Sequence, residues 1–300
     1  MKTILTILLL IWSGIVLFAA EPIEIVTTLP DFKNFAEIIG ADKVHVISIA
    51  SGKQDPHHVE IKPSDIIKIK NADLLIVNGL DLDTWIYPLI SNSRNSKVQK
   101  GASGYVDASN GIAILEVPTT KVDRSLGDVH PYGNPHYNLS PSAMRIAFKN
   151  ILEAMIRNYP EQQKFFENNG QAYLRKLDNK ITEWKYLLKN IPSKKLVSYH
   201  NSWAYFFNEF GLESGGFMEP KPGIMPSPTH TAELIEKMKS ENTKMVLKEN
   251  YFSDSTPRFI AEKTGARVLE VPTSSGGNDL AQDYISMIDF LVKKIVENSK

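Results

Sequence analysis

The chain has 300 residues, of which 42% are hydrophobic, and this is enough apolar material for one large core or two modest ones. Its 34 basic side chains are balanced by 34 acidic ones, so it lacks the basic surface that phosphate binding requires, and we expect no nucleic acid partner. The absence of cysteine excludes disulfides, a thiolate metal site, a cysteine nucleophile and a lipid-bearing cysteine after a leader.

Residues 1–20 have the composition of a secretion signal. Lys2 gives a positive start, residues 4–18 are mainly apolar, and Ala19-Ala20 supplies small residues for cleavage. An uncleaved membrane anchor is the alternative, although the apolar stretch is short for a spanning helix. We therefore predict an exported protein, cleaved near Ala20 and periplasmic in a host with two membranes.

Residues 21–159 alternate between short apolar runs and helical patterns, which predicts an N-terminal α/β lobe. The predicted strands are residues 23–26, 44–49 and 74–77, and the predicted helices are residues 31–39 and 63–69. Gly40 is predicted to stop the first helix. Such an alternation is typical of β–α–β units and a mainly parallel sheet.

Residues 160–191 predict one long helix. Gly170 is the only glycine in this range, and no proline follows Pro160 until Pro192. Apolar side chains recur at helical spacing, at Tyr173, Leu174, Leu177, Ile181, Trp184, Leu187 and Leu188. At about 1.5 Å per residue, such a helix would span roughly 45 Å, enough to run along two lobes and tie them together.

Residues 192–300 return to the alternating pattern and predict a C-terminal α/β lobe. The predicted strands are residues 195–199, 244–247 and 267–271, and the predicted helices are residues 203–210, 231–240, 256–263 and 279–296. Four prolines within residues 219–228 predict a stiff, ordered loop. The whole pattern predicts two α/β lobes with mainly parallel sheets, joined by one long rigid helix.

Three histidines lie where a predicted strand or turn gives way to a helix: His57 and His136, each directly after a proline, and His200 after the strand 195–199. The carboxyl ends of strands are where open α/β sheets bind ligands. Neutral imidazole is the commonest transition-metal ligand, so we predict a metal site assembled from these three segments.

The other histidines are predicted to have different roles. The His58 side chain should face away from that of its neighbour His57, because adjacent side chains of an extended segment alternate. His130 precedes Pro131 in a glycine-rich loop and is interpreted as a supporting group or a transient metal contact. His45, within a strand, and His230, at a helix start, are interpreted as structural or solvated.

Several motifs, in order, resemble those of one protein family. They are Asp55-Pro56-His57 with Glu60 and Pro63, Ala72-Asp73-Leu74, Asn78-Gly79 with Trp85, Asn134-Pro135-His136-Tyr137, His200 before Trp203-Ala204-Tyr205-Phe206, Gly211-Leu212, and Pro226-Ser227-Pro228. Across essentially all of the chain after the leader, it resembles the metal-binding substrate-binding proteins of zinc and manganese ABC transporters.

The resemblance implies that His57, His136 and His200 are metal ligands between two lobes. Many similar proteins supply a fourth ligand, an aspartate, from a loop after the last strand, but residues 270–277 here contain no aspartate. Glu249, at the end of a predicted strand, is the predicted substitute, and Glu60, Asp279 or water are the alternatives.

The predicted function is that of an extracytoplasmic solute-binding component of an ABC transporter, which captures a divalent transition metal and delivers it to the membrane permease. Three imidazoles with water or one carboxylate favour zinc, with manganese or iron as alternatives. A zinc-dependent hydrolase is the rival class, but the sequence contains neither His-Glu-x-x-His nor Gly-x-Ser-x-Gly. An exported adhesin or structural protein would not need three positioned imidazoles. We therefore expect a monomeric binding protein, not an enzyme.

Overall fold

The computed structural model describes residues 21–120 and 130–299, so the predicted signal segment 1–20 lies outside the described residues. The first sheet has the strand order β2-β1-β3-β4, and all of its pairings are parallel. Its strands are β1 (Ile23–Thr27), β2 (Val44–Ser48), β3 (Leu74–Val77) and β4 (Tyr105–Asp107). Its helices are α1 (Pro30–Gly40), α2 (Pro63–Asn71), α3 (Ile86–Ser93) and α4 (Pro141–Asn158).

The second sheet repeats this arrangement with the order β6-β5-β7-β8, again with parallel pairings. Its strands are β5 (Lys195–Ser198), β6 (Glu213–Phe217), β7 (Met245–Glu249) and β8 (Arg267–Val271). The helices that follow the first three are α6 (Ala204–Phe210), α7 (Pro228–Ser240) and α8 (Ser255–Thr264), and α9 (Tyr284–Asn298) ends the described chain. The predicted pair of α/β lobes with parallel sheets is confirmed.

A single long helix, α5 (Gln163–Lys189), lies between the two sheets in the sequence, preceded by a 3-10 turn at Pro160–Gln162. It packs against α1 and α4, which precede it in the sequence, and against α6 and α9, which follow it. Trp184 is fully buried and donates its indole N–H to Asp289 of α9 over 2.7 Å. Gly170 lies where α5 meets α4, and a Cβ there would be 2.8 Å from the side chain of Leu152. The lobe boundaries at residues 159 and 192 stay a prediction.

The end of α1 differs slightly from expectation. Gly40 is the last helical residue, and the left-handed residue that turns the chain is Ala41, with φ 45°. A Cβ at Gly40 would collide with the side chain of Val44, so this glycine permits the close approach of β2 to the helix end. The glycine is therefore a packing residue as well as a helix end.

The carboxyl edges of the two sheets face each other across the inter-lobe cleft. Asp31 follows β1, and its buried carboxylate accepts hydrogen bonds from Ser275 N and Oγ, after β8, over 2.8 and 2.6 Å. Asn138 reaches across the same boundary and donates to the Thr273 carbonyl over 2.7 Å. Loops after the strands therefore meet in the region where the sequence predicts the metal site.

Within residues 21–120 and 130–299, no helix combines the length and the hydrophobicity needed to cross a membrane.

Candidate metal centre

Three histidine rings from different parts of the chain meet at the inter-lobe cleft. The ring centroids of His57 and His136 are 5.0 Å apart, and each lies 5.3 Å from that of His200. One ring nitrogen from each histidine lies within 4.8 Å of the other two. Zinc–nitrogen bonds of about 2.0–2.1 Å put tetrahedral donors roughly 3.3 Å apart, so a small inward movement of the side chains suffices to ligate one ion.

His57 is held by a turn that its own sequence encodes. The Asp55 carboxylate accepts from the His57 backbone N–H over 2.9 Å, and the same oxygen is 2.9 Å from His57 Nδ1. Trp85, just before α3, donates its indole N–H to the Pro56 carbonyl over 2.9 Å. Burial alone would raise the pKa of Asp55, but the hydrogen bond and charge of His57 lower it below its usual value. An ionised Asp55 fixes the ring so that Nε2 is the atom available to a metal.

His136 lies in the buried loop that precedes α4. Its backbone N–H donates to the Asn134 side-chain oxygen over 3.0 Å. The Pro135 carbonyl accepts from the Asn78 side chain over 3.2 Å, and Tyr137 donates its hydroxyl to the Asn78 carbonyl over 2.8 Å. Asn78 follows β3, so the first sheet holds both sides of His136 in place.

His200 follows β5 directly and is also buried. Its Nδ1 lies 2.6 Å from Oε2 of Glu219, and the same oxygen accepts the Gly223 backbone N–H over 3.0 Å. Burial by itself lowers the pKa of His200, but the hydrogen bond and negative charge of Glu219 outweigh it and raise the pKa above its usual value. A carboxylate behind a metal-binding imidazole sets the tautomer and increases the basicity of the ring.

Free electron pairs at the site are concentrated on ring nitrogens. Nε2 of His57 and Nε2 of His136 are both buried, and neither has a hydrogen-bond partner among residues 21–120 and 130–299. Burial lowers the pKa of His136 well below its usual value, and the neighbouring histidines lower it further, so this ring is neutral at physiological pH. Neutral, desolvated imidazoles without partners are the form that binds a transition metal.

The predicted candidates for a fourth ligand lie in different environments. Glu60 and Asp279 are exposed. Glu249, at the end of β7, is fully buried, and its Oε1 accepts from Ser202 Oγ over 3.0 Å and from Trp203 Nε1 over 2.9 Å. None of the three belongs to the group of metal-ligating atoms found among the described residues, so Glu249 as a ligand stays a prediction.

The structure also places His130 beside the three histidines. Its ring centroid is 5.2 Å from that of His57, and its Nε2 is buried without a hydrogen-bond partner in the described part of the chain. By contrast, His58 and His45 are exposed, and His230 Nε2 is 2.9 Å from the Phe217 carbonyl, away from the three rings. A cavity of about 420 Å³ opens beside the site, lined by Glu116, His130, Gly133, Asn134, Pro135, His136, His200, Asn201 and Pro222.

Sequence reasoning missed the groups that orient these rings. Glu219 is 19 residues from His200, and its only local signal is its position between β6 and the proline-rich loop. Asp31, which fixes the loop after β8, is 244 residues from Ser275. The sequence does contain a signal for the orienting role of Asp55. In Asp-Pro-His, an aspartate, whose side chain often forms a turn with the backbone two residues later, is combined with a rigid proline.

Comparison with known proteins identifies the family. The sequence profile of ZnuA, described as zinc-uptake complex component A, periplasmic, matches residues 25–298. The chain belongs to this family. Members of the ZnuA family are the extracytoplasmic binding components of metal ABC transporters, which is not an enzyme class, and the predicted class of function is confirmed.

Relatives in this family differ in the metal that their names record. The high-affinity zinc uptake system protein ZnuA of Bacillus subtilis is 26% identical, with 92% of this chain and 86% of that protein covered. The manganese ABC transporter substrate-binding lipoprotein PsaA of Streptococcus pneumoniae is 26% identical, covering 93% and 89%. The iron-binding protein YfeA of Yersinia pestis is 25% identical, covering 93% and 86%. A crystal structure of ZnuA superposes with a TM-score of 0.80 at 25% identity, covering 93% of this chain and 100% of that one.

Proposed function

We propose that this protein captures zinc through His57, His136 and His200 and delivers it to the permease of an ABC transporter. The observation that carries the proposal is the convergence of three ring nitrogens within 4.8 Å of one another, from three loops at the inter-lobe cleft. Two of these rings are oriented by carboxylates, Asp55 and Glu219, as metal-binding histidines usually are.

The chemistry of the donors supports zinc over manganese or iron. Imidazole nitrogen suits zinc, whereas manganese prefers sites richer in carboxylate and water oxygen. The two carboxylates nearest to the rings, Asp55 and Glu219, are engaged with the Nδ1 atoms of His57 and His200. The donor atoms available to the metal are therefore the ring nitrogens. Glu249 as an additional ligand would shift the preference towards manganese.

Capture and delivery require binding without covalent chemistry. The exported, monomeric protein binds the ion through neutral imidazoles, and a small displacement between the lobes releases it at the permease. The long α5 helix, which packs against helices of both lobes, keeps such a displacement small. The role is one of transport, and no reacting group is needed.

The proposal is tested by metal competition on the purified protein after chelation. Zinc, manganese and iron are offered together, and bound metal is measured by elemental analysis. We expect about one equivalent of zinc. His136→Ala should greatly weaken binding and leave the circular dichroism spectrum unchanged, whereas His45→Ala, at an exposed histidine, should bind as the wild type does. Equal loss in both variants, or no binding by the wild type, would contradict the proposal.

A further inference from the structure

A fourth imidazole, that of His130, is available at the metal centre. Its Nε2 is buried and has no hydrogen-bond partner among the residues that the structure describes, a property it shares with Nε2 of His57 and His136. Its ring is 5.2 Å from the His57 ring, about as close as the other histidines are to each other. A buried, unpartnered nitrogen carries a free-energy cost unless something binds it.

The second nitrogen of His130 has a partner of the kind that metal-binding histidines use. The ring bonds to the backbone carbonyl of Asp81, and because Nε2 is unpartnered, Nδ1 is the donor. This bond fixes the tautomer that leaves the Nε2 electron pair free. The rings of His57 and His200 are held in the same way, because Nδ1 of His57 faces Asp55 and Nδ1 of His200 faces Glu219.

The Asp81 carbonyl is presented by an unusual stretch of backbone. Gly79, Leu80 and Asp81 all have left-handed φ values, 77°, 54° and 60°. For Leu80 and Asp81 this conformation is unfavourable and persists only when its surroundings hold it. The Asp83 carboxylate holds this stretch, because it accepts the backbone N–H groups of Asn78 and Gly79 over 2.6 and 3.3 Å. The segment that orients His130 is therefore held in a defined conformation.

Glu249 is the competing donor for the same role. Its Oε1 is used by Ser202 and Trp203, and its Oε2 is buried without a hydrogen-bond partner among the described residues, as Nε2 of His130 is. The two donors differ in chemistry, because imidazole nitrogen suits zinc, whereas carboxylate oxygen suits manganese. A zinc centre therefore favours His130 over Glu249.

We infer that His130 is the fourth ligand of the metal, giving a centre of four imidazoles. His130 lies outside the group of nitrogens within 4.8 Å of one another, so its ring tilts towards the ion when the metal binds. Four nitrogen donors favour zinc over manganese more strongly than three nitrogens with a carboxylate do. This inference rests on the proposed function, since it adds one ligand to the site formed by His57, His136 and His200.

The test compares His130→Ala with matched variants of the purified full-length protein. Zinc and manganese affinities are measured by chelator competition, and the number of imidazoles around bound zinc by X-ray absorption spectroscopy. His58→Ala removes an exposed histidine whose ring is 6.3 Å from that of His57.

We expect four imidazoles in the wild type and three in His130→Ala. The zinc affinity of His130→Ala should fall by at least the roughly 10–100-fold that loss of an outer-shell partner causes. Its manganese affinity should fall less, while His58→Ala should bind both metals as the wild type does. Unchanged thermal unfolding would show that His130→Ala is folded.

Three imidazoles in the wild type, with full affinity in His130→Ala and loss in His57→Ala, would overturn the inference and leave the proposed function standing. Loss of affinity in Glu249→Gln alongside that result would assign the fourth position to the carboxylate. If the wild-type protein binds neither zinc nor manganese, the proposed function fails and this inference fails with it.

Discussion

Nδ1 of His200 and Oε2 of Glu219 are 2.6 Å apart, and both side chains are buried at the inter-lobe cleft. The contact joins the carboxyl ends of neighbouring strands β5 and β6, so the second sheet itself sets the direction of the His200 ring. The Gly223 N–H holds the same carboxylate oxygen from the other side. Glu219 is therefore a positioning residue for the metal centre.

Glu219→Gln should weaken zinc binding about 10–100-fold, because an amide neither increases the basicity of the His200 ring nor fixes its tautomer as strongly. Chelator competition measures the effect. Glu213→Gln, at an exposed position of β6, is the matched control and should bind zinc with wild-type affinity. Wild-type affinity in Glu219→Gln would mean that the hydrogen bond does not tune the ligand.

Asp31→Asn should destabilise the folded protein by about 3 kcal/mol. The Asp31 carboxylate accepts the N–H of Ser275 and the hydroxyls of Ser274 and Ser275, and an asparagine amide would present N–H groups in place of one of its oxygens. Urea unfolding of the purified protein gives the free energy. Hydrogen exchange of residues 272–277 should accelerate at the same time. Asp42→Asn, at an exposed position after α1, should change neither quantity, and similar effects in the two variants would contradict a specific role for Asp31.

Glu249→Gln should remove a pH dependence of stability from the protein after chelation. Burial raises the pKa of Glu249 from 4.5 to about 7, so the folded chain keeps a proton that the unfolded chain releases between these values. The associated stability is present below pH 4.5 and is lost as pH rises to about 7, and it amounts to about 3 kcal/mol. Urea unfolding at several pH values should show a flatter profile in Glu249→Gln than in the wild type. In Glu262→Gln, an exposed control, the wild-type slope should persist.

Zinc affinity should fall as the solution is acidified from about pH 7.5 to about pH 5, because protons compete for the imidazole nitrogens. His200 should dominate this effect, since its pKa is raised by Glu219 whereas burial lowers the pKa of His136. Each displaced proton costs about tenfold in affinity per pH unit. Calorimetry in buffers of different ionisation enthalpy counts the released protons, and an affinity independent of pH over this range would argue against imidazole ligands.

Local patterns predicted six of the eight strands of the described residues, namely β1, β2, β3, β5, β7 and β8, and most helices. The two missed strands are β4, which has only three residues, and β6, whose Gly215-Gly216 pair weakens any strand pattern. The proposed ligands were accessible to sequence reasoning because His57 and His136 follow prolines in turns. Their orienting groups were not, because Glu219 and the Asp81 carbonyl meet the rings only through the tertiary fold.

The carboxylate of Asp31 is buried against the loop that follows β8, and Asn138 bonds to the same loop. Complete separation of the lobes on this flank would deprive the Asp31 carboxylate of three hydrogen bonds at once, from the Ser274 hydroxyl and from the N–H and hydroxyl of Ser275. Opening of the molecule at this flank would therefore leave a buried carboxylate without its donors, and that cost holds the two lobes together at the point where β1 and β8 end.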